Sequence, residues 1–517
     1  MLDFSLSTPA IFAILGCLLI AWDISKKNKN PWTVITGLVC IALMGFTRLV
    51  TSPGILSLAT GVFTDMAMGL WSGAGLLLFR RAKAKPFVIL GVLALGLAFL
   101  LGSIGKVFNV ETTNADTFLL ELGPDDSIEE INAELLSRGL VAEKAFPTVS
   151  LSMDEDLAQV YIVSGTRSNM QAAMRALRLD TENIDHVEWN EAFGLDLPAN
   201  ESSLSFETTT GILGNDPLAG DQWALDAING HDVHHMLQDM TPVRKARVAI
   251  LDTGVDGGHE DITGVFESTP GNVDKHGHGT HCAGIAGAAT NNSIGMASLN
   301  WNGEYIDILS YQALGNDGMG SVEMIAQAII DATQNNADVI SMSLGGFALA
   351  PPRVVKKAVN FAIERNAIVV AAAGNSNQDA KNHMPSNIEG VITVAATDQN
   401  GNKAKFSNTN TSLTRPIAAP GVDIVSLIPN QDYGPKSGTS MATPVVSGLL
   451  GIMRAMNPDL SAKEAYAILH ETGETLDDSP RIGRLINARE AVNKLACGMS
   501  RTASAVILLT LESIPVQ

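Results

Sequence analysis

Four polar side chains, each beside small or apolar residues, are of the types that amide hydrolysis requires. Ser440 begins a run of small residues in which the start of a helix would present a serine and favour developing negative charge. His278 also precedes small residues, and Asp252 and Asn375 each end an apolar, strand-like stretch. Amide hydrolysis needs a nucleophile, a base, a group that orients the base and donors for the oxyanion. Ser440, His278, Asp252 and Asn375 could supply these four roles.

Each of these residues also has an ordinary structural interpretation when it is considered alone. Asp252 could be a turn residue, His278 and Ser440 helix caps, and Asn375 a loop residue in the left-handed conformation. Taken together, their order Asp, His, Ser and the surrounding motifs resemble the subtilisin family of serine peptidases. The matching stretches are Asp-Thr-Gly at 252–254, His-Gly-Thr-His-Cys-Ala-Gly at 278–284, Ala-Ala-Gly-Asn at 372–375 and Gly-Thr-Ser-Met-Ala-Thr-Pro at 438–444.

The resemblance covers roughly residues 215–492 and implies a serine endopeptidase that acts on protein or peptide substrates. It implies that Asp252 binds the far ring nitrogen of His278, and that Asn375 and the Ser440 N–H form the oxyanion hole. Two alternatives stay open at this point. The chain could be a catalytically inactive, membrane-tethered binding module, or a transporter that carries an accessory soluble domain.

Two glycine-containing segments resemble those that receive an extended peptide by strand addition in this family. They are Gly318, Met319 and Gly320, and Ser343, Leu344, Gly345 and Gly346. Ala372 and Gly374 would line the floor of the first side-chain pocket. Because none of these segments contains an acidic residue, we expect apolar or uncharged side chains, rather than Lys or Arg, before the cleaved bond.

Calcium is the cofactor that the resemblance implies. Asp261, Asn292, Ile294 and Met296 correspond to the high-affinity site of the family, and Asp216 is closer to its thermitase form. Carboxylate, carboxamide and backbone carbonyl oxygens suit this hard cation. Without the resemblance, these residues would be interpreted as parts of turns.

Apolar stretches dominate residues 1–106 and predict a membrane domain of four helices, at about 4–22, 32–47, 55–79 and 86–102. The loops after the first and third helices contain seven Lys and Arg residues, at positions 26, 27, 29, 80, 81, 83 and 85. Basic loops remain cytoplasmic, so both chain termini are expected outside the cytoplasm, in the periplasm or beyond the cell surface. A lipid bilayer is therefore an expected partner.

The rest of the chain divides into segments of different composition. Residues 115–191 predict a β-α-β-β-α-β, ferredoxin-like α+β domain, with strands expected at 146–152 and 158–164 among others. By position it resembles the inhibitory propeptide of subtilisins, although a permanent partner-binding domain is the alternative. Residues 192–214 are expected to be an exposed linker that contains the processing site.

Residues 215–495 predict an α/β catalytic domain, a parallel sheet with helices on both faces, followed by a tail at 496–517. Two features of composition limit the partners and cofactors. The formal net charge of −20 argues against nucleic acid as a partner. Four widely spaced cysteines argue against a disulfide scaffold or a zinc site, although a single bridge between Cys282 and Cys497 stays open.

Overall fold

The computed structural model describes residues 117–123, 125–198, 214–267 and 273–499. The four membrane helices that the sequence predicts lie in residues 1–106, outside this range. Within the described ranges, no helix combines the length and apolar character that crossing a bilayer requires.

The first described domain is a small antiparallel sheet with two longer helices. Its sheet has the order β2-β3-β1-β4, which is the order expected of the β-α-β-β-α-β arrangement. The elements are β1 (Thr117–Leu122), α1 (Ile128–Ser137), β2 (Val141–Lys144), α2 (Glu155–Ala158), β3 (Val160–Ser164), α3 (Arg167–Leu177) and β4 (Ile184–Trp189).

The position of the second strand differs from the prediction. The sequence indicated a strand at 146–152, whereas β2 ends at Lys144 and residues 146–152 form turns. Phe146 and Val149 are buried, but neither belongs to a strand of this sheet. They pack instead with helices of the catalytic domain. An apolar pattern records burial and does not say which domain covers the side chain, which explains the error.

The catalytic domain is built on an eight-stranded, fully parallel sheet of order β18-β15-β14-β12-β10-β6-β8-β7. The remaining strands of the described chain, including short two-stranded pairs, are β5 (Ala192–Gly194), β6 (Ala246–Asp252), β7 (Phe266–Glu267), β8 (Ile306–Gln312), β9 (Met319–Ser321), β10 (Val339–Met342), β11 (Gly346–Phe347), β12 (Ile368–Ala372), β13 (His383–Met384), β14 (Ile392–Thr397), β15 (Pro416–Pro420), β16 (Ile424–Ile428), β17 (Asp432–Lys436) and β18 (Arg484–Leu485).

Helices cover both faces of this sheet. They are α4 (Trp223–Ala227), α5 (Gly230–Leu237), α6 (His278–Gly287), α7 (Val322–Gln334), α8 (Arg353–Glu364), α9 (Thr439–Met456), α10 (Ala462–Thr472) and α11 (Ser479–Ile482), and residues 488–499 are also helical. Along β6, Val248 and Ile250 pack on the side of α6 and α9, while Ala249 and Leu251 pack on the side of α7 and α8. This alternation explains why the strand sequence is apolar throughout.

Two ends of the predicted domains require correction. The last helix runs through residue 499, so it continues past the expected boundary at 495. Residues 192–198, expected to begin an exposed linker, instead include β5, which pairs with β9. Cys282 is a buried free thiol and Cys497 an exposed one, so the bridge between them is not formed.

Candidate active site

Asp252 and His278 form a buried pair at the carboxyl end of the central strand β6. The Nδ1 atom of His278 lies 2.8 Å from Oδ1 and 3.0 Å from Oδ2 of Asp252. Burial is the largest single effect and disfavours the charged form of the imidazole, but the contributions of the Asp252 carboxylate and of Cys282 together outweigh it and raise the pKa of His278. Asp252 thus fixes the orientation of the ring and stabilises the positive charge that a general base acquires.

Helix α6 reaches this strand end because Gly279 permits close contact. A Cβ atom on Gly279 would lie 2.0 Å from the carbonyl oxygen of Gly254, so no other residue fits there without a shift. The Asp274 carboxylate, on the loop before the helix, accepts hydrogen bonds from the N–H and the hydroxyl of Thr280 at 2.9 and 2.6 Å. It also accepts one from the Thr253 hydroxyl at 3.0 Å, which ties the helix to the end of β6.

Ser440 lies in the first turn of α9, and Cys282 contacts both Ser440 and His278. The Cys282 thiol donates to the Ser440 carbonyl at 3.4 Å, and its sulfur lies 3.9 Å from Nδ1 of His278. The Ser440 hydroxyl donates to the Ser343 carbonyl at 3.1 Å, and Nε2 of His278 has no hydrogen-bond partner among the described residues. For proton transfer, the Ser440 side chain must therefore rotate from Ser343 toward Nε2.

Asn375 follows β12 and presents its amide nitrogen to the groove. Its Oδ1 atom accepts hydrogen bonds from the Thr439 N–H at 2.8 Å and from the Thr439 hydroxyl at 3.0 Å. These two contacts fix the carboxamide, so that Nδ2 faces away from α9. Nδ2 donates to the carbonyl oxygen of Asp196.

The groove holds the chain's own segment 191–198 as an added strand. Phe193 pairs with Gly320 and Gly194 with Met319, and Leu195 N–H donates to the Gly318 carbonyl at 3.1 Å. On the other side, Gly194 and Gly345 exchange two backbone hydrogen bonds at 3.0 and 3.4 Å. The segment therefore lies between the two predicted substrate-binding segments.

The other predicted groove residues surround the same path. Gly346 lies against the ring of Phe193, Leu344 is buried in the same apolar cluster as Phe193, and Ala372 is buried at the end of β12. Gly374 lies next to Asn375, at the point where the segment reaches the Asn375 amide. The structure thus brings all of the predicted catalytic and substrate-binding residues to one edge of the sheet.

The small N-terminal domain contacts the catalytic domain at the starts of two helices. The Glu188 carboxylate accepts hydrogen bonds from the N–H groups of Arg353 and Val354, at 2.9 and 3.0 Å, in the first turn of α8. The Asn190 side chain accepts one from the Glu323 N–H at 3.0 Å, at the start of α7. Acceptors at helix N-termini satisfy N–H groups that have no partner within the helix.

The five predicted calcium ligands are also neighbours. The Asn292 carboxamide donates to Asp261 at 2.9 Å, the Met296 N–H donates to Asp261 at 2.8 Å, and the Asn292 N–H donates to Asp216 at 3.0 Å. The Ile294 N–H donates to Oδ1 of Asn292 at 2.8 Å. Burial, reinforced by the Asp216 and Glu260 charges, raises the pKa of Asp261 to about 6. Two buried carboxylates and a carboxamide in one loop cluster are a donor set that fits calcium.

Several residues of the site were not identified from the sequence. They are Asp196 in the groove, Asp274 before α6, Thr439 beside Asn375, and His383 under the groove. Thr439 could have been noticed because it precedes the proposed nucleophile. Nothing in the sequence near the other three indicates that they lie at the site.

Comparisons with known proteins identify relatives of this chain. A model of the subtilase family matches residues 244–489. Thermitase of Thermoactinomyces vulgaris is 39% identical over 259 residues, which are 48% of this chain and 88% of thermitase. Subtilisin BL of Lederbergia lenta is 37% identical over 251 residues, 47% of this chain and 90% of that protein. A solved structure of a protease from Pseudoalteromonas arctica PAMC 21717 is 28% identical, and the match covers 55% of this chain and 99% of that one with a TM-score of 0.47.

The chain belongs to the subtilase family. It is a subtilisin-like serine endopeptidase, and proteins or peptides are its substrates.

Proposed function

We propose that the protein hydrolyses peptide bonds with Ser440 as nucleophile, His278 as general base and Asp252 as the residue that orients His278. Nε2 of His278 takes the proton of the Ser440 hydroxyl as the Ser440 oxygen attacks the carbonyl carbon, and gives that proton to the amine that leaves. Water then attacks the Ser440 ester, with Nε2 taking its proton and returning it to the Ser440 oxygen as the acid is released. The Asn375 amide stabilises the oxyanion. The hydrogen bond from Nδ2 of Asn375 to the Asp196 carbonyl is the observation that supports this proposal best, because a peptide carbonyl of the bound segment lies where the proposal requires the oxyanion.

A serine-directed fluorophosphonate probe tests these roles. We expect labelling of the purified, processed protein and its loss in Ser440→Ala, while Ser447→Ala, a buried serine two turns further along α9, retains labelling. Labelling that persists in Ser440→Ala would assign the nucleophile elsewhere. No labelling of the folded wild type would favour the inactive binding module.

The same groove supports self-processing. With the Asp196 carbonyl bound to the proposed oxyanion donor Asn375, the bond that we expect to face the nucleophile is the one between Asp196 and Leu197. Residues 115–191 then act as a propeptide, and residues 192–196, which follow them and include β5, lie in the groove and block the active site. This assigns the cut, expected from the sequence within 191–214, to a single bond.

Calcium is proposed as a structural ion held by Asp216, Asp261, Asn292 and the backbone carbonyls of Ile294 and Met296. The ion would offset the repulsion between two buried carboxylates and join segment 214–219 to loop 291–296. Differential scanning calorimetry tests this. We expect calcium at a hundred times its Kd to stabilise the protein by about 2.7 kcal/mol relative to chelator. Asp261→Asn should abolish this difference, and the exposed Asp239→Asn should keep it; equal melting temperatures in the wild type would contradict the site.

Membrane association is proposed on the four apolar stretches and on the distribution of Lys and Arg between the loops. The catalytic domain then lies outside the cytoplasm, in the periplasm or beyond the cell surface. An alkaline phosphatase fusion after Gly194 is expected to be active, and fluorescence from a reporter that matures only in the cytoplasm would refute this topology. A transporter with an accessory domain is the weaker alternative, since the chain belongs to a family of serine peptidases.

A further inference from the structure

A histidine forms the floor of the pocket beside Asn375. His383 is only 5% exposed and lies on β13, which pairs with β11. Its ring fills the space that two glycines leave open. A Cβ atom on Gly345 would lie 2.5 Å from Cε1, and one on Gly374 would lie 2.7 Å from Nε2. The imidazole therefore stands between the two walls of the groove, and larger residues at either glycine would displace it.

The ring has one nitrogen that is available to a ligand in the pocket. Nδ1 lies 3.3 Å from the Ser386 hydroxyl, whereas Nε2 is buried and has no hydrogen-bond partner among the described residues. The nearest carboxylate oxygen is Oδ2 of Asp196, at 3.9 Å from Nε2. An unpaired polar atom that is buried in this way is costly, and a matching ligand relieves that cost.

The same Asp196 oxygen has two further neighbours. It accepts a hydrogen bond from the Asn375 N–H at 2.5 Å, and the Ser376 hydroxyl lies 3.5 Å away. Three groups therefore lie around the Asp196 carboxylate, namely the Asn375 N–H, the Ser376 hydroxyl and the His383 imidazole. Asp196 is also the residue whose backbone carbonyl accepts a hydrogen bond from Nδ2 of Asn375. No acidic side chain of the predicted groove segments competes with it.

We propose that His383 is a specificity-determining residue that makes this pocket select an acidic side chain, aspartate above all, before the cleaved bond. The inference rests on the proposed peptidase function and names its substrate class. It differs from the expectation of apolar or uncharged side chains, because the groove segments alone do not include His383 on β13.

The selectivity for aspartate depends on whether the side chain before the cleaved bond supplies an acceptor to the donors of this pocket. An aspartate carboxylate accepts the hydrogen bond of the Asn375 N–H and lies near the Ser376 hydroxyl and, at 3.9 Å, near Nε2 of His383, and hydrogen bonds to an ionised acceptor are the stronger kind. A leucine in the same place leaves the Asn375 N–H and the buried Nε2 atom of His383 without a carboxylate beside them. Sites built to bind a polar group discriminate strongly against analogues that lack it.

Three peptides that differ only in the residue before the cleaved bond test the proposal on the processed protein. With Asp, Asn and Leu at that position, we expect kcat/KM for Asp to exceed the other two by about tenfold or more. His383→Phe keeps an aromatic ring and removes both nitrogens. It should lose the preference for Asp and still cleave the Leu peptide, whereas the exposed His470→Phe should behave as the wild type.

The outcomes separate this inference from the proposed function. If fluorophosphonate labels Ser440 but the wild type cleaves after Leu as fast as after Asp, the inference is overturned and the peptidase function stands. If the wild type is neither labelled nor cleaves any peptide, both fail.

A second measurement does not depend on the folding of His383→Phe. In the full chain, Asp196→Leu and Asp196→Asn should slow self-cleavage between residues 196 and 197 by about tenfold or more. Unchanged rates of self-cleavage in both variants would also overturn the inference.

Discussion

Asn375 depends on its neighbour for its role, because the Thr439 N–H and hydroxyl together fix the carboxamide. We therefore expect Asn375→Ala to lower kcat by about 10²–10³, the range known for loss of this donor in subtilisin, with a much smaller change in KM. Steady-state kinetics on a peptide substrate measure both constants. The exposed Asn400→Ala is the control, and a loss confined to KM would show that Asn375 binds substrate without stabilising the oxyanion.

A second residue-scale expectation concerns acid stability. His234 is buried, and its Nε2 atom lies 2.6 Å from the Ser298 carbonyl. Burial lowers the pKa of His234 to about 4, although the Ser298 carbonyl opposes this. When the pH falls below 6.5, the ordinary pKa of histidine, the unfolded chain binds a proton at His234 that the folded protein excludes. Its contribution to stability is therefore fully present above pH 6.5 and decreases as the pH falls toward 4.

His234→Gln removes this titration and keeps a side chain that can donate to Ser298. From about 1.4 kcal/mol per pKa unit, the wild type should lose on the order of 3 kcal/mol more than His234→Gln over this pH range. Urea unfolding at several pH values measures the difference. The exposed neighbour His235→Gln should follow the wild type, and parallel pH profiles for wild type and His234→Gln would contradict the assignment.

The residues that could be predicted from the sequence are those whose role depends on a local motif. Asp252, His278, Asn375 and Ser440 each lie in a recognisable stretch, and the structure brings them together. His383 could not be predicted in this way. It is more than a hundred residues from His278, and its contact with the groove follows from the pairing of two short strands, β11 and β13.

At the scale of elements, the start of α8 is a binding site for the N-terminal domain. Glu188 is largely buried there and accepts two hydrogen bonds from the helix N-terminus. Glu188→Ala should weaken retention of the cleaved N-terminal domain by on the order of 2 kcal/mol, about thirtyfold, since the acceptor is ionised. Dissociation of the two parts after processing, followed by gel filtration or by the appearance of peptidase activity, measures this.

Glu143→Ala is the matched control, because Glu143 is an exposed glutamate on β2 of the same domain. It should leave retention unchanged. Equal retention in the Glu188→Ala variant would mean that the apolar contacts between the two domains, such as Phe146 and Val149 with α7 and α8, are sufficient by themselves.

The elements whose positions were predicted wrongly from the sequence are those whose burial or pairing depends on a second domain. Residues 192–198 contain one Gly, one Asp and one Pro, a composition that does not distinguish a bound strand from a linker. Their pairing is defined by β9 and Gly345. Phe146 and Val149 are apolar for the same reason, since they are buried between domains. By contrast, the parallel strands of the large sheet are apolar on both faces and could be predicted directly.

At the scale of the whole molecule, the segment bound in the groove connects proteolytic maturation of the protein with the proposed attachment of its catalytic domain to the membrane. A cut between Asp196 and Leu197 separates the catalytic domain covalently from the apolar N-terminal region. The contacts of Glu188, Asn190 and Phe193 with the catalytic domain would then hold the two parts together until the N-terminal domain dissociates or is degraded. The proposed membrane domain would in that case retain a complex and not a continuous chain.

The N-terminus of the catalytic domain tests the central claim most directly, because it requires both an active site and a segment bound within it. Full-length wild type and Ser440→Ala should be expressed side by side and analysed by N-terminal sequencing and intact mass. We expect a new N-terminus at Leu197 in the wild type and an uncut chain in Ser440→Ala. The same N-terminus in both proteins, or an intact wild-type chain, would contradict the account.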